Sequence, residues 1–487
     1  MTGKLSRRAL LAGGVALMAT PGLARPVSTS LRPRLRGSQS TPPQLPTAED
    51  LVAAAKVPGD TSYVLMDAQG TVLRSRGAER ATPPASVAKI ITALYALDRL
   101  GKAYRFETRL HAIGLVEEGT LFGDLVLVGG GDPTLTTDDL AALVDSLQAA
   151  GIQKVAGRFL IYQEALPYVA SIEPGQPSWL GYSPAVSGLN LNFNRVHFEW
   201  TPLGGSYSLA MEARGRTASP RVGMARMQIV TRGAPVFEYT SQPGVDLWTV
   251  ARSALGKGGA RWLPVRFPGL YAGDAFRGIA RARGIAMPTV QVLPFVPDGA
   301  PLAVHQSAPI EDICRDMLKR STNLTAEVLG LTASGGNVPD LAASASEMNR
   351  WAAERLGAEI DMVDHSGLSD QSRVSAKAMG RVLAAAVDGP LSDLMKPVRF
   401  AAKRAVPGFV SAKTGTLNYV SGLGGYIDTG SDRHIFAIFS SDLEARAEIA
   451  PLDREKPRGA TGWLRRAKRL EIDLVDHWAK RLSQRPG

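Results

Sequence analysis

The sequence predicts a mixed α/β protein, and three features carry that reading. Apolar residues recur at helical spacing in 87–100 and again between 308 and 390. Short runs of strand character dominate from about 107 to 299, and three more precede a final helical segment. At 487 residues the chain exceeds the usual single-domain range, so two or three domains are expected.

Taken in order, the elements begin with a targeting segment. Lys4, Arg7 and Arg8 precede an apolar run from Ala9 to Ala19, and Gly22-Leu23-Ala24 supplies small residues for cleavage. Residues 1–24 therefore read as an export signal. Ser6-Arg7-Arg8-Ala9-Leu10-Leu11 resembles a twin-arginine signal, although paired arginines also occur in ordinary secretory signals. The apolar run is too short for a lasting membrane span and no other run approaches that length. The mature protein is expected to be soluble and periplasmic, without a transmembrane span. Residues 25–44, rich in Pro, Ser, Thr and Arg, read as a disordered linker.

Thr47, followed by Glu49 and Asp50, resembles a capped helix start. Residues 61–75 read as a hairpin turning at Ala68-Gln69-Gly70. Pro83-Pro84 precede Val87, Ile90, Ile91, Leu94, Leu97 and Leu100, a helix apolar around most of its circumference and so expected to be buried. The segment 107–299 reads as an inserted accessory module, mainly β, with a helical stretch near 138–150. Strands are expected at 408–413, 420–428 and 434–440, and a last helix from about 461.

The net charge of +11 invites a nucleic-acid reading, but its distribution argues against one. Residues 1–44 hold seven basic residues and no acid, which leaves only +4 on the other 443. Arg465, Arg466, Lys468 and Arg469 read as the solvated face of the last helix. Cys314 is the only cysteine, so no intrachain disulfide and no four-cysteine zinc site can form. Its helical surroundings suggest a small core residue.

Three short motifs carry the chemistry. Ser86-Val87-Ala88-Lys89 places a hydroxyl and an amine one helical turn apart, which gives acyl transfer its nucleophile and base on one rigid element. At the helix start the Ser86 N–H has no intrahelical partner and can face an oxyanion. Alone the motif is weak, since chance supplies about one Ser-x-x-Lys in such a composition. An unpaired lysine on so apolar a helix would, however, be costly. Ser321-Thr322-Asn323 is the only Ser-x-Asn, and taken alone it reads as helix capping. Lys413-Thr414-Gly415-Thr416 falls at the end of an expected strand, where hydroxyls suit a carboxylate and Gly415 would let a substrate backbone approach.

In this order the motifs form the Ser-x-x-Lys, Ser-x-Asn, Lys-Thr-Gly set, and the chain resembles the penicillin-recognising serine enzymes. Between Lys89 and Ser321 lie 231 residues, a long insertion that resembles the type-4 penicillin-binding proteins, the D-Ala-D-Ala carboxypeptidase/endopeptidase family. Val128-Gly129-Gly130-Gly131-Asp132-Pro133-Thr134-Leu135, Ser187-Gly188-Leu189-Asn190-Leu191-Asn192 and Asp364-His365-Ser366-Gly367-Leu368-Ser369 add to the likeness, which runs from about residue 45. Asp132 itself reads as a turn residue.

The resemblance implies a penicillin-binding/β-lactamase-like transpeptidase fold: an antiparallel sheet flanked by helices, built from 45–106 and 300–487, with 107–299 inserted. It implies that Ser86 attacks the carbonyl of the penultimate D-alanine and that Lys89 takes the proton. Ser321 and Lys413 would relay that proton, Asn323 would hold the substrate amide, and Thr414 and Thr416 would bind the terminal carboxylate. The N–H groups of Ser86 and Thr416 would form the oxyanion hole. A neutral Lys89 at pH 7 costs roughly 4–5 kcal/mol unless the site shifts it, and burial and Lys413 would both act in that direction. The implied partners are peptidoglycan peptides, with β-lactam antibiotics as acylating inhibitors, and no cofactor or metal is required. The six histidines lack HExxH-like spacing, and no G-x-S-x-G elbow is present.

One departure stands out. Where the family commonly has Arg after Ser-Gly-Leu-Ser, associated with a diaminopimelate carboxylate, this chain has Asp370, with Arg373 as a candidate compensator. The competing readings are a β-lactamase or esterase on the same fold, or a non-catalytic peptidoglycan-binding protein. The long insertion and intact motifs weigh against them.

Overall fold

The strand Asp60–Met66 shows how the central layer is made. Tyr63 and Leu65 enter one apolar core while Val64 and Met66 enter another, as the two-residue strand period requires. Arg433–Ser441 repeats the split, with Phe436 and Ile438 on one side and Ile435, Ala437 and Phe439 on the other. Both faces are covered, which is why these strands read as continuous apolar runs. They belong to an antiparallel sheet ordered Lys396–Pro397, Phe409–Leu417, Val420–Asp428, Arg433–Ser441, Asp60–Met66, Val72–Arg76. Strands from early in the sequence thus complete a sheet that late ones begin.

The computed structural model describes residues 46–398, 409–430 and 432–483; the expected export signal, 1–24, and linker, 25–44, lie outside the described residues. The chain divides into two units, Met1–Pro46, of which only Pro46 is described, and Thr47–Gly487. In the second, one sheet face carries Ala48–Ala55 and the long Ala460–Ser483, whose Leu470, Leu474 and Trp478 fill the smaller core. Thr47 caps the first of these helices through the expected capping box with Asp50. The other face carries Lys89–Leu100, Ile310–Arg320, Asn323–Ala333, Leu341–Leu356 and Ala376–Ala385 around the larger core. The mixed α/β class with an antiparallel sheet between helices is the one expected. Cys314 is fully buried in that core, where burial pushes its thiol up to about 12. The Arg465, Arg466, Lys468 and Arg469 face of the last helix is exposed.

Another core draws only on residues 110–285, between the helix Lys89–Leu100 and the Ser321 motif. Its strands form a sheet centred on the Glu107–Glu117 and Thr120–Gly129 hairpin, with two three-stranded sheets beside it. The expected helix is Thr137–Ala149; a further one, Pro268–Ala282, was not expected. Its sequence PGLYAGDAFRGIARA contains three glycines, which dilute both helix propensity and apolar periodicity. Packing explains them, because a Cβ on Gly269 would stand 2.0 Å from Gln163 Oε1, one on Gly273 2.5 Å from Val290 Cγ2 and one on Gly278 2.8 Å from Pro220 Cβ.

Candidate active site

Ser86 lies in a 3-10 turn, Ala85–Ala88, that feeds directly into the helix Lys89–Leu100. The expectation of an α-helix start is corrected in detail, and the tighter turn still sets positions three apart above one another. Val87 N–H makes the first bond of the turn, 3.2 Å to Pro84 O, so Ser86 N–H precedes it. Ala85 has φ 46°, a left-handed conformation that costs a non-glycine residue energy and tends to persist at functional sites.

Lys89 is completely buried, and its Nζ donates to Ser86 Oγ at 2.9 Å, Asn323 Oδ1 at 2.8 Å and Ser366 O at 2.7 Å. Asn323 opens the helix Asn323–Ala333, and its Nδ2 donates to Tyr182 O at 2.9 Å. Ser321 caps the C-terminus of the preceding helix with φ 61°, so the capping reading is correct for the backbone. Its hydroxyl is nevertheless committed elsewhere, accepting from Lys413 Nζ at 3.0 Å. Lys413 Nζ also donates to Thr414 O at 2.6 Å.

The strand expected to end at residue 413 runs on to Leu417, so Lys413–Thr416 lies within it. Pairing from Phe409↔Asp428 to Leu417↔Val420 holds the extension. Strand alternation buries Lys413 and Gly415 and exposes Thr414 and Thr416. Gly415 has a reason different from the one expected, because its neighbour is the protein itself. A Cβ there would stand 2.7 Å from Pro84 O and 3.0 Å from Val87 Cγ2. The strand is thereby pressed against the turn that carries Ser86. On its other edge, Lys396–Pro397 pairs only with Ser411 and Ala412, so among the described residues no strand covers 413–417. An extended peptide can add to such an edge.

The site opens into a cleft of about 300 Å³, whose walls include Ser86, Ser321, Asn323, Thr416, Tyr182 and Arg446. Thr414 is outside that lining. Asp370 does not stand alone as a repelling acid: Arg446 Nε donates to its Oδ1 at 3.0 Å and Arg446 Nη1 to Asn418 O at 2.6 Å. Arg373, the compensator expected from sequence, donates from Nη1 to the backbone carbonyls of Asp370 at 2.5 Å and Ser372 at 2.9 Å, and it is Arg446 that takes the Asp370 carboxylate.

Burial is the main influence on Lys89 and brings it down to about 8, against the pull of Glu327 and Asp364. The expectation that Lys413 depresses Lys89 therefore needs correction, since Lys89 faces two carboxylates. Burial first, then Lys89 and Lys396, hold Lys413 well below the usual lysine range. Burial and Asp364 push Glu327 up to about 8. Sequence reasoning gave neither acid a role. Glu327 did leave a signal, as the one charge in the helix NLTAEVLGLTA. Tyr182 left none, because its contribution is a backbone carbonyl. Among the described residues one grouping suits a metal, His197 with Glu199 and Glu212. Arg214 already occupies it, with Nη1 3.3 Å from His197 Nε2 and Nη2 donating to both carboxylates.

The model of the D-Ala-D-Ala carboxypeptidase 3 (S13) family matches residues 49–457. A D-alanyl-D-alanine carboxypeptidase of Actinomadura sp. (strain R39) is 26% identical over 441 residues, covering 81% of this chain and 80% of the relative. The D-alanyl-D-alanine carboxypeptidase DacB of Haemophilus influenzae is 25% identical over 421 residues, 76% of this chain and 83% of its own. The crystal structure of penicillin binding protein 4 from H. influenzae superposes with a TM-score of 0.68 at 19% identity, covering 88% of this chain and 99% of that one. The fold is shared.

Proposed function

The chain belongs to the D-Ala-D-Ala carboxypeptidase 3 (S13) family, and from that membership we propose how its residues carry the reaction. The protein is a serine-type D-Ala-D-Ala carboxypeptidase acting on peptidoglycan. The observation supporting the residue roles is the contact of three motifs far apart in sequence: Ser86 and Lys89 with Asn323, and Ser321 with Lys413.

With Lys89 neutral, its two hydrogens serve Asn323 Oδ1 and Ser366 O, and its lone pair accepts the Ser86 hydroxyl proton. Ser86 Oγ attacks the penultimate D-alanine carbonyl, and Lys89 takes the proton as the C–O bond forms. The Ser86 and Thr416 N–H groups hold the oxyanion. Collapse breaks the C–N bond, and the departing D-alanine amine receives its proton through Ser321 and Lys413. Water, activated by Lys89, then splits the ester and frees Ser86. The second hydrogen of Asn323 Nδ2 binds a substrate carbonyl, while Thr414 and Thr416, two apart on one strand face, bind the terminal carboxylate. The same steps at a cross-link, where the leaving amine belongs to a neighbouring stem, amount to endopeptidase cleavage. A β-lactam acylates Ser86 in place of the peptide. Peptidoglycan as substrate supports a periplasmic site of action, reached through the signal-like residues 1–24. Among the described residues no helix is long and apolar enough to cross a membrane.

The test is intact-protein mass after incubation with a penicillin, on wild type and Ser86→Ala. A stable adduct on wild type alone is expected. Hydrolysed drug without adduct would point to a β-lactamase, and neither adduct nor hydrolysis to a binding protein.

A further inference from the structure

The segment between Lys89 and Ser321 places a buried cation under a loop that touches the site. Arg266 is 8% exposed, and its guanidinium is engaged with three main-chain carbonyls of the loop 170–183. Nη1 donates to Ala170 O at 3.0 Å and to Ser183 O at 2.8 Å, and Nη2 donates to Ser178 O at 2.9 Å. The loop is closed at its base, where Val169 and Val186 exchange backbone hydrogen bonds of 3.0 and 2.8 Å. Arg266 is itself anchored. Its N–H donates to Asp246 Oδ2 at 3.0 Å, its carbonyl accepts the Tyr168 hydroxyl at 2.9 Å, and the Tyr239 hydroxyl donates to Asp246 Oδ1 at 2.9 Å. A forked, planar cation suits three carbonyls that lie apart in one loop, and leaving its donors unpaired out of water would be costly.

The same loop meets the Ser-x-Asn motif. Tyr182 O accepts Asn323 Nδ2 at 2.9 Å, while Lys89 Nζ donates to Asn323 Oδ1 at 2.8 Å. The peptide unit that carries the Tyr182 carbonyl is held at its other end, where Ser183 N–H donates to Leu180 O at 3.0 Å. The next carbonyl along the chain, Ser183 O, is one that Arg266 grips. The two ends of an amide have almost the same shape, so its partners alone decide which end faces which way. A neutral Lys89 amine accepts as well as donates and cannot set that polarity. A carbonyl only accepts, so Tyr182 O sets it. With the polarity reversed, Asn323 would turn its own oxygen toward a substrate carbonyl.

We propose that Arg266 is a positioning residue for acylation: by bridging the Ala170, Ser178 and Ser183 carbonyls it holds the loop whose Tyr182 carbonyl fixes the polarity of the Asn323 amide. The proposal rests on the assignment of Asn323 to the substrate amide. Arg266 lies outside the cleft lining, so it acts through Asn323 rather than on substrate.

The experiment measures the second-order rate of acylation by benzylpenicillin for wild type, Arg266→Lys, Asn323→Ala and the double variant. A lysine keeps the charge but lacks the fork that spans three carbonyls. Arg266→Lys is expected to slow acylation about tenfold where Asn323 is present, and less than about twofold where it is replaced, because effects within one hydrogen-bond network do not add. A purely structural role would slow both backgrounds by the same factor, a factor of one included, and that outcome overturns the proposal. If Arg266→Lys does not fold, Arg266→Gln, which leaves no charge to bury, takes its place with the same requirement. Failure of both to fold would mark Arg266 as a folding residue and overturn the proposal too. Wild type without a Ser86 adduct, or Asn323→Ala acylated at the wild-type rate, would sink the underlying assignment; equal slowing in both backgrounds would sink the Arg266 proposal alone.

Discussion

Lys89 has to meet two conflicting demands. As the proposed base it must be neutral, yet it sits among acceptor oxygens and two carboxylates that favour the ammonium. Burial settles the contest near pH 8, so the neutral fraction grows about tenfold per pH unit below that point and levels off above it. Acylation of wild type by a penicillin should accordingly rise through pH 6 and 7 and flatten beyond about 8, as stopped-flow or fluorescent-penicillin rates will show. Lys89→Met should reduce that rate by about a thousandfold, within the range for loss of a general base, while the protein remains folded by circular dichroism. The residues of this machinery were legible in the sequence by type and order. What sets Lys89 was only half legible: an apolar helix implied burial, but nothing local revealed that the amine also faces Glu327 and Asp364.

Among the elements, the Phe409–Leu417 strand is decisive because it does two jobs at once. Its inner face clamps the nucleophile turn through Gly415, and its outer face presents Thr414 and Thr416 beside an uncovered edge. Gly415→Ala places a methyl 2.7 Å from Pro84 O. It should slow penicillin acylation at least about tenfold and cost roughly 1–3 kcal/mol in urea unfolding, the usual price of overpacking. Sequence patterning ended this strand early because Thr-Gly-Thr resembles a turn; cross-strand pairing overrides that local preference. The last helix offers a second test. Glu471 is fully buried against Ser421, whose hydroxyl donates to it at 2.6 Å, and burial pushes its carboxyl up to about 7. An acid raised above its unfolded value holds a proton in the folded state that the unfolded chain has lost. Its contribution is therefore fully present below about pH 4 and lost as pH climbs to 7. Glu471→Gln should raise thermal stability at pH 8, by about 2 kcal/mol, and have little effect at pH 4.

At the scale of the molecule, the segment with its own core between Lys89 and Ser321 also reaches the reaction centre. Tyr182 O holds Asn323, and Glu455 accepts from Trp179 Nε1 at 2.7 Å and Arg261 Nη2 at 3.0 Å, tying that segment to the loop before the last helix. Glu455 also lines the cleft that holds Ser86, and a stem peptide is longer than a penicillin. Glu455→Ala should therefore lower kcat/KM for a D-Ala-D-Ala peptide about tenfold and affect penicillin acylation less, as parallel assays of the two reactions will show. The sequence by itself determined the fold class, most of the elements and the three chemical motifs, because hydrophobic period, capping and motif spacing are local properties of a chain. Only the tertiary structure decided that Asp370 is matched by Arg446, that Gly415 serves the nucleophile turn, and that two buried acids stand behind the base. Those facts depend on burial and on contacts between residues far apart in the chain, and the strength of a charge is set by what surrounds it in space rather than by what adjoins it in sequence.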